Sequence, residues 1–266
     1  DMGHAIVSGA SKGIGKAIAE KLVRKGMHVA ICARHEETLQ QTIKDLHAVN
    51  SDVHIIGEVR DVSKKADAIA FGQSVISQWK TIDLLVNNAG MNCEGHFYRG
   101  GLDRNLQMLQ LNTKAPFILA FEYGKQFISR GKGGIIFTSS ISAFSAHPYL
   151  AHYAATKAYI LSLAESMNYE FKDKNVDVIA LCPGMTKSEM TKGMKEGPML
   201  MEAAPVVKIA LDNLGKEAYV VPGLFNKTQV FINSRVLNRD NAKSLTGALL
   251  KRVLPGVAKS AKKEKK

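Results

Sequence analysis

From residue 4 to residue 86 the chain alternates short apolar, β-rich runs with segments of helical period, and this alternation limits the folds open to it more than any other feature. Strands are expected at residues 4–8, 27–33, 53–58 and 82–86, with helices at 13–25, 36–49 and 64–79 between them. Strands separated by helices cannot pair as hairpins, so they line up in parallel, with the helices covering both faces. Runs such as IDLLV and VDVIALC, apolar at nearly every position, suit strands buried on both sides. The pattern continues with a long helix over 102–130, a strand at 134–139, a helix at 149–172, a strand at 176–181 and a last strand at 218–221. The expected fold class is α/β, a doubly wound parallel sheet in a single domain spanning 1–222, followed by a basic helical extension over 223–266.

The first strand runs into Ser8-Gly9-Ala10-Ser11-Lys12-Gly13-Ile14-Gly15 and then directly into a helical pattern. Glycines at a strand-to-helix turn let backbone approach a pyrophosphate, while the helix start supplies free N–H groups and the positive end of its dipole. This is the dinucleotide-binding arrangement of a Rossmann fold, with Gly9, Ser11, Lys12, Gly13, Ile14 and Gly15 as candidate cofactor contacts. Where NAD-selective members of that fold carry a carboxylate at the end of the second strand, this chain carries Ala33 and Arg34. A guanidinium binds a phosphate bidentately, and Lys12 is a second cation in the glycine turn, so NADP (NADPH) is the expected cofactor. Asp61, with Val62 beside it after the third strand, is placed either to accept from an adenine amino group or to cap the following turn together with Ser63.

Tyr153 and Lys157 are four residues apart in a helical stretch, which sets phenol and ammonium on one face. A phenol titrates near 10, and a fixed cation beside it lowers that value towards the pH at which it can donate a proton to a developing alkoxide. Ser140 follows the strand at 134–139, at the carboxyl edge where open α/β sheets hold ligands. Asn112 lies early in the long helix, where an inward-facing amide needs a partner.

Taken together, SGASKGIG at 8–15, RDV at 60–62, NNAG at 87–90, Asn112, Ser140, Tyr153-x-x-x-Lys157 and PG at 183–184 resemble the short-chain dehydrogenase/reductase family over about residues 3–190. The resemblance implies that Tyr153 is the acid/base and that Ser140 holds the substrate oxygen. It also implies that Lys157 lowers the Tyr153 pKa and binds the nicotinamide ribose, while Asn112 anchors a water in the proton relay. Asn88, Ala89 and Gly90 are then expected to support the adenine and ribose pocket, and Pro183, Gly184 and Thr186 to lie over the nicotinamide. Ser8 stands where many relatives have Thr, which keeps the hydroxyl. The expected activity is NADP(H)-dependent carbonyl reduction, or the reverse, on a small molecule. An apolar, lipid-like 3-oxoacyl thioester or a steroid is the first reading, and a polyol, sugar or xenobiotic carbonyl the second. A non-catalytic NADP sensor on the same fold is the remote alternative.

Residues 185–204 carry Met185, Met190, Met194, Met199 and Met201, and in the family this stretch is the substrate lid. Phe144, His147, Tyr149, Met91 and Cys93 are its expected pocket neighbours. Beyond residue 223, apolar positions such as Phe231, Leu245 and Leu250 alternate with Lys and Arg. Such an extension docks on the chain's own body or on a partner copy, or it lies on an anionic membrane surface. The net charge is +12, and half of it falls in 251–266. Without interleaved aromatics that tail gives no reason to expect nucleic acid. Cys32, Cys93 and Cys182 form no CxxC pair, and the histidines show no metal-ligand spacing, so no metal is expected. The first strand starts too early for a signal peptide to precede it, and no apolar run is of membrane-spanning length. A cytoplasmic homo-oligomer, with membrane contact limited to the periphery, is the expectation.

Overall fold

In the computed structural model, residues 3–188, 191, 200–254 and 257 are described. Seven strands form one parallel sheet: β1 His4–Ser8, β2 His28–Ala33, β3 Ile55–Val59, β4 Leu84–Asn87, β5 Gly133–Thr138, β6 Val176–Leu181 and β7 Tyr219–Val220. Their spatial order is β3-β2-β1-β4-β5-β6-β7, so the winding reverses between β1 and β4 and opens a crevice at the carboxyl edge there. This is the doubly wound sheet that the alternation predicts. β3 and β4 begin two residues later than expected, at Ile55 and Leu84.

Helices α1 Gly13–Arg24, α2 Glu36–Val49 and α7 Ala203–Asn213 cover one face, and α3 Lys65–Trp79, α5 Ala115–Arg130 and α6 Ala151–Lys172 cover the other. Two apolar clusters result, one on each side of the sheet. Alternate residues of each strand divide between them, with Ile6 and Leu85 in one and Val7 and Val86 in the other.

The single long helix expected over 102–130 is not regular. It comprises α4 Leu102–Leu109, a π turn Gln110–Lys114 and then α5. Pro116 lacks the N–H that would close an α-helical bond on the Asn112 carbonyl, so the ladder widens by one residue there. Helix α6 starts at Ala151 instead of 149 because Tyr149 holds a left-handed φ of 67°.

Past β7 the chain forms α8 Leu224–Phe231, a π turn Ile232–Val236 and α9 Arg239–Val253. Of the docking alternatives for this extension, the structure shows the chain's own body. Leu250, Leu254 and Val257 cluster with Tyr149 and Leu150, and a Cβ on Gly247 would lie 3.1 Å from the Pro148 ring. Leu224, Phe231, Val236 and Leu245 stay exposed. Met190, Met194 and Met199 of the expected lid, and the Lys-rich tail after 257, lie outside the described residues. No helix among the described residues is long and apolar enough to cross a membrane, and no cluster of His, Cys, Asp and Glu among them could hold a metal ion.

Candidate active site

A cleft of about 630 Å³ opens at the carboxyl edge of the sheet, across the β1/β4 reversal. Gly9, Ser11, Lys12, Gly13 and Ile14 line it from the turn between β1 and α1, and Arg34 from the end of β2. Asp61 and Val62 reach it after β3, and Asn88, Ala89 and Gly90 after β4. Ser140, Tyr153 and Lys157 line its middle, and Pro183, Gly184 and Thr186 enter after β6.

Two candidates stand behind the wall instead of on it. Gly15 is buried one turn into α1, where an added Cβ would sit 2.2 Å from the Gly9 carbonyl oxygen and 2.3 Å from Asn88 Nδ2. Its role is to let α1 close onto the turn. Asn112 is 2 % exposed in the π turn; its Oδ1 accepts from the Met91 N–H at 2.9 Å, and its Nδ2 donates to the Met91 carbonyl at 2.9 Å and to Thr156 Oγ1 at 3.1 Å. It clamps the segment after β4 to α6, which answers the question of what an inward amide does there.

The turn is knitted to β4 by Ser8, whose Oγ accepts from the N–H groups of Asn88 at 3.0 Å and Ala89 at 3.1 Å. Asn88 Nδ2 donates to the Gly9 carbonyl at 3.2 Å, and Gly9 itself takes a φ of 68° that a side chain resists. Asp61 serves its own turn, its Oδ1 accepting from the Ser63 N–H at 3.1 Å and hydroxyl at 2.6 Å, while it also faces the cleft. At the start of α1 the cap residue Lys12 makes no side-chain hydrogen bond to the first turn, and that turn holds no acidic residue. The helix therefore presents bare N–H groups and its positive dipole end, beside an exposed Arg34. These residues fit a dinucleotide with its pyrophosphate on the helix start.

In the middle of the cleft the Ser140 hydroxyl, whose Oγ accepts from the Ser142 N–H at 3.1 Å, acts on the Tyr153 phenol. Lys157 Nζ donates to the Thr138 carbonyl at 2.8 Å and lies 5.6 Å from the Tyr153 ring centre. Ser139 Oγ, donating to the Lys157 carbonyl at 2.8 Å, fastens α6 to β5 beneath them. Burial lowers the Lys157 amine to about 8. Burial raises the Tyr153 phenol, and the Ser140 hydroxyl works against that rise. Burial is the larger of the two effects on the phenol.

Of the five expected pocket neighbours, Met91 and His147 line the cleft. The other three are engaged elsewhere: Phe144 packs on Tyr219 with ring centres 5.3 Å apart, Tyr149 meets the edge of His96 at 5.2 Å, and Cys93 Sγ turns to the Arg104 carbonyl at 3.7 Å. Sequence reasoning missed Thr138 as the partner of Lys157, the polar Asn92 and Ser142, and a wall formed by Thr246, Leu249, Leu250 and Leu254 from the last helix. Nothing in the sequence pairs that helix with a cleft built about a hundred residues earlier.

Residues 3–198 match the sequence family described as short chain dehydrogenase. The chain is 33 % identical over 214 residues to the 3-oxoacyl-acyl-carrier-protein reductase of Rickettsia conorii, covering 79 % of this chain and 83 % of that protein. It is 28 % identical over 242 residues to the 7beta-hydroxysteroid dehydrogenase of Clostridium sardiniense, covering 88 % and 91 %. Among solved structures, a 7beta-hydroxysteroid dehydrogenase superposes with a TM-score of 0.82 at 23 % identity, over 92 % of this chain and 96 % of that one. The bulky-bulky ketone specific alcohol dehydrogenase from Comamonas testosteroni superposes at 0.75 and 26 % identity, over 89 % and 96 %.

Proposed function

This chain belongs to the short-chain dehydrogenase family, oxidoreductases that interconvert ketones and alcohols with a nicotinamide cofactor, and from that premise we propose that it is an NADPH-preferring ketoreductase for a bulky apolar carbonyl compound. The observation that carries the reading is the meeting, in one cleft, of the Ser140 hydroxyl, the Tyr153 phenol, a buried amine at Lys157 and a helix start with no side-chain cap flanked by Arg34.

Bound along the cleft, the nicotinamide supplies or takes up the hydride. Tyr153 gives its hydroxyl proton to the carbonyl oxygen as the alcohol forms, and Ser140 holds that oxygen by a hydrogen bond. Lys157, seated within about one side-chain length of the ring, provides positive charge that favours the phenolate left behind. Asn112 keeps Met91, a cleft residue, in register with α6. Arg34 and Lys12 would receive a 2′-phosphate, which supports NADPH as the proposed cofactor. The Leu249, Leu250 and Leu254 wall, together with Leu111 and Met91, supports an apolar substrate of oxoacyl or steroid type over a polyol or sugar.

The test is turnover followed at 340 nm with NADPH and then NADH, on wild type and Tyr153→Phe. The wild type should oxidise NADPH about 10- to 100-fold more efficiently than NADH, the range expected for one charge-assisted pair. Tyr153→Phe should lose turnover while binding NADPH as before; retained turnover in that variant removes Tyr153 from the acid/base role.

A further inference from the structure

Past β7 the polarity of the chain is reversed. Helix α8 runs without a break into the π turn Ile232–Val236, and its inner side is polar, with Asn226 4 % exposed and Asn233 9 %. Asn226 Nδ2 donates to the Pro222 carbonyl at 2.8 Å, and Asn233 Nδ2 donates to Thr246 Oγ1 of α9 at 3.3 Å. Asn226 and Gln229 also line the cleft, and Val230 packs on the core. These residues fix which side of the helix faces inwards. At about 100° per residue, Leu224 and Phe231 then fall on the opposite side, with Phe225, Ile232 and Val236 on one flank beside them. All five are exposed, Leu224 at 81 % and Val236 at 62 %.

A surface helix in water buries its apolar side and exposes its polar one, and this helix does the opposite. Its inner amides are held by hydrogen bonds, so it cannot roll to hide the apolar side. Neighbouring apolar side chains left in water mark a place where something docks, and the charges around them say what. Between residues 224 and 253 the chain carries six Lys and Arg against one Asp, and that Asp240 is bonded to Lys243 at 2.7 Å. Lys227 and Arg235 stand on the same helical stretch as the apolar residues, and both are exposed. Two copies of this chain meeting through this face would bring like charges together. An apolar strip bordered by Lys and Arg is complementary instead to an anionic lipid surface, where the acyl region takes the rings and the headgroups take the cations.

We infer that the outer side of α8 and its π turn is a docking surface for an anionic membrane, with Leu224 and Phe231 entering the lipid and Lys227 and Arg235 on its headgroups. The inner side of the same helix is a wall of the cleft, so a docked protein holds that wall next to the lipid. The inference stands on the exposed face and its charge, and does not depend on which carbonyl compound the cleft takes.

The experiment is co-sedimentation of the full chain with vesicles of phosphatidylcholine alone and of phosphatidylcholine mixed with phosphatidylglycerol. Wild type should bind the mixed vesicles about 25-fold or more tightly than the neutral ones, since each Lys or Arg near an anionic surface contributes about 5-fold. Lys227→Gln with Arg235→Gln should lose about 25-fold of that affinity. Leu224→Ser with Phe231→Ser keeps every charge and should weaken binding to the mixed vesicles by about 10-fold or more. All four side chains are exposed and none lines the cleft, so the melting temperature of both variants should stay at the wild-type value, which separates docking from a structural role. Wild type that ignores both kinds of vesicle would overturn the surface. So would unchanged binding in the Leu224→Ser and Phe231→Ser variant, because the attraction would then come from net positive charge alone. A wild-type dimer in sedimentation equilibrium that Phe231→Ser separates into monomers would also overturn it, because a second copy would then cover the face.

Discussion

Lys157 is 6 % exposed, and its amine is bonded to a backbone carbonyl instead of a carboxylate, so burial works against its charge without an opposing anion. The pH consequence has a definite sign. Below about 8 the amine is protonated in both the folded and the unfolded chain, and the folded state carries the full cost of burying the charge. Between about 8 and the ordinary lysine value of about 10.4, the folded chain has released the proton and the unfolded chain has not, so stability rises with pH. Lys157→Met has no such proton to release. Urea unfolding of wild type and Lys157→Met between pH 7 and 10 should show the wild type gaining on the variant above pH 8. A gap that stays constant over that range would mean that the amine is not lowered. The same residue shows where sequence reading reaches its limit. The four-residue spacing places Lys157 on the Tyr153 face, and the structure has the two 5.6 Å apart, but spacing says nothing of Thr138, the residue that the amine bonds.

The π turn Gln110–Lys114 positions a residue through a defect in an element. The helical period over 102–130 is legible because apolar residues recur on one face, and it hides the widened turn because one extra residue barely disturbs that recurrence. Pro116 was the available signal: a proline inside a helical pattern removes one ladder bond. Asn112 sits in that turn and makes three hydrogen bonds to Met91 and Thr156. Asn112→Ala would leave the half-buried Met91 N–H and carbonyl without these partners, at about 1–3 kcal/mol each. The unfolding free energy should therefore fall by about 2–6 kcal/mol, with the loss extending to turnover because Met91 lines the cleft. A change below about 1 kcal/mol in denaturant titration would show that water replaces the amide at no cost. The last helix was legible in part for a similar reason. Its alternation of apolar and basic residues announces one buried face, but the surface that buries it, Pro148 to Leu150, lies too far back in sequence for periodicity to identify.

At the scale of the molecule, the strand order, the cleft and the charge act together. The winding reversal between β1 and β4 brings the glycine turn, Arg34 and Asp61 to one half of the cleft, and Ser140, Tyr153 and Lys157 to the other. A net charge of +12 adds a field that attracts a polyanionic cofactor from solution. Any ligand that binds only the folded state raises stability by mass action, about 2.7 kcal/mol at a concentration 100-fold above its Kd. For a chain of this size each kcal/mol moves the melting temperature by roughly 2–4 °C, so saturating NADPH should raise it by roughly 5–10 °C. NADH lacks the 2′-phosphate and at the same concentration should raise it less. Because Arg34 is exposed, its contribution is screened, and the NADPH advantage should narrow as salt increases. Arg34→Ala should remove most of that advantage and leave the NADH shift as it was. Equal shifts for the two cofactors in the wild type, at low and at high salt, would show that this corner of the cleft does not read the phosphate, and the carboxylate missing from the end of β2 would then need another account.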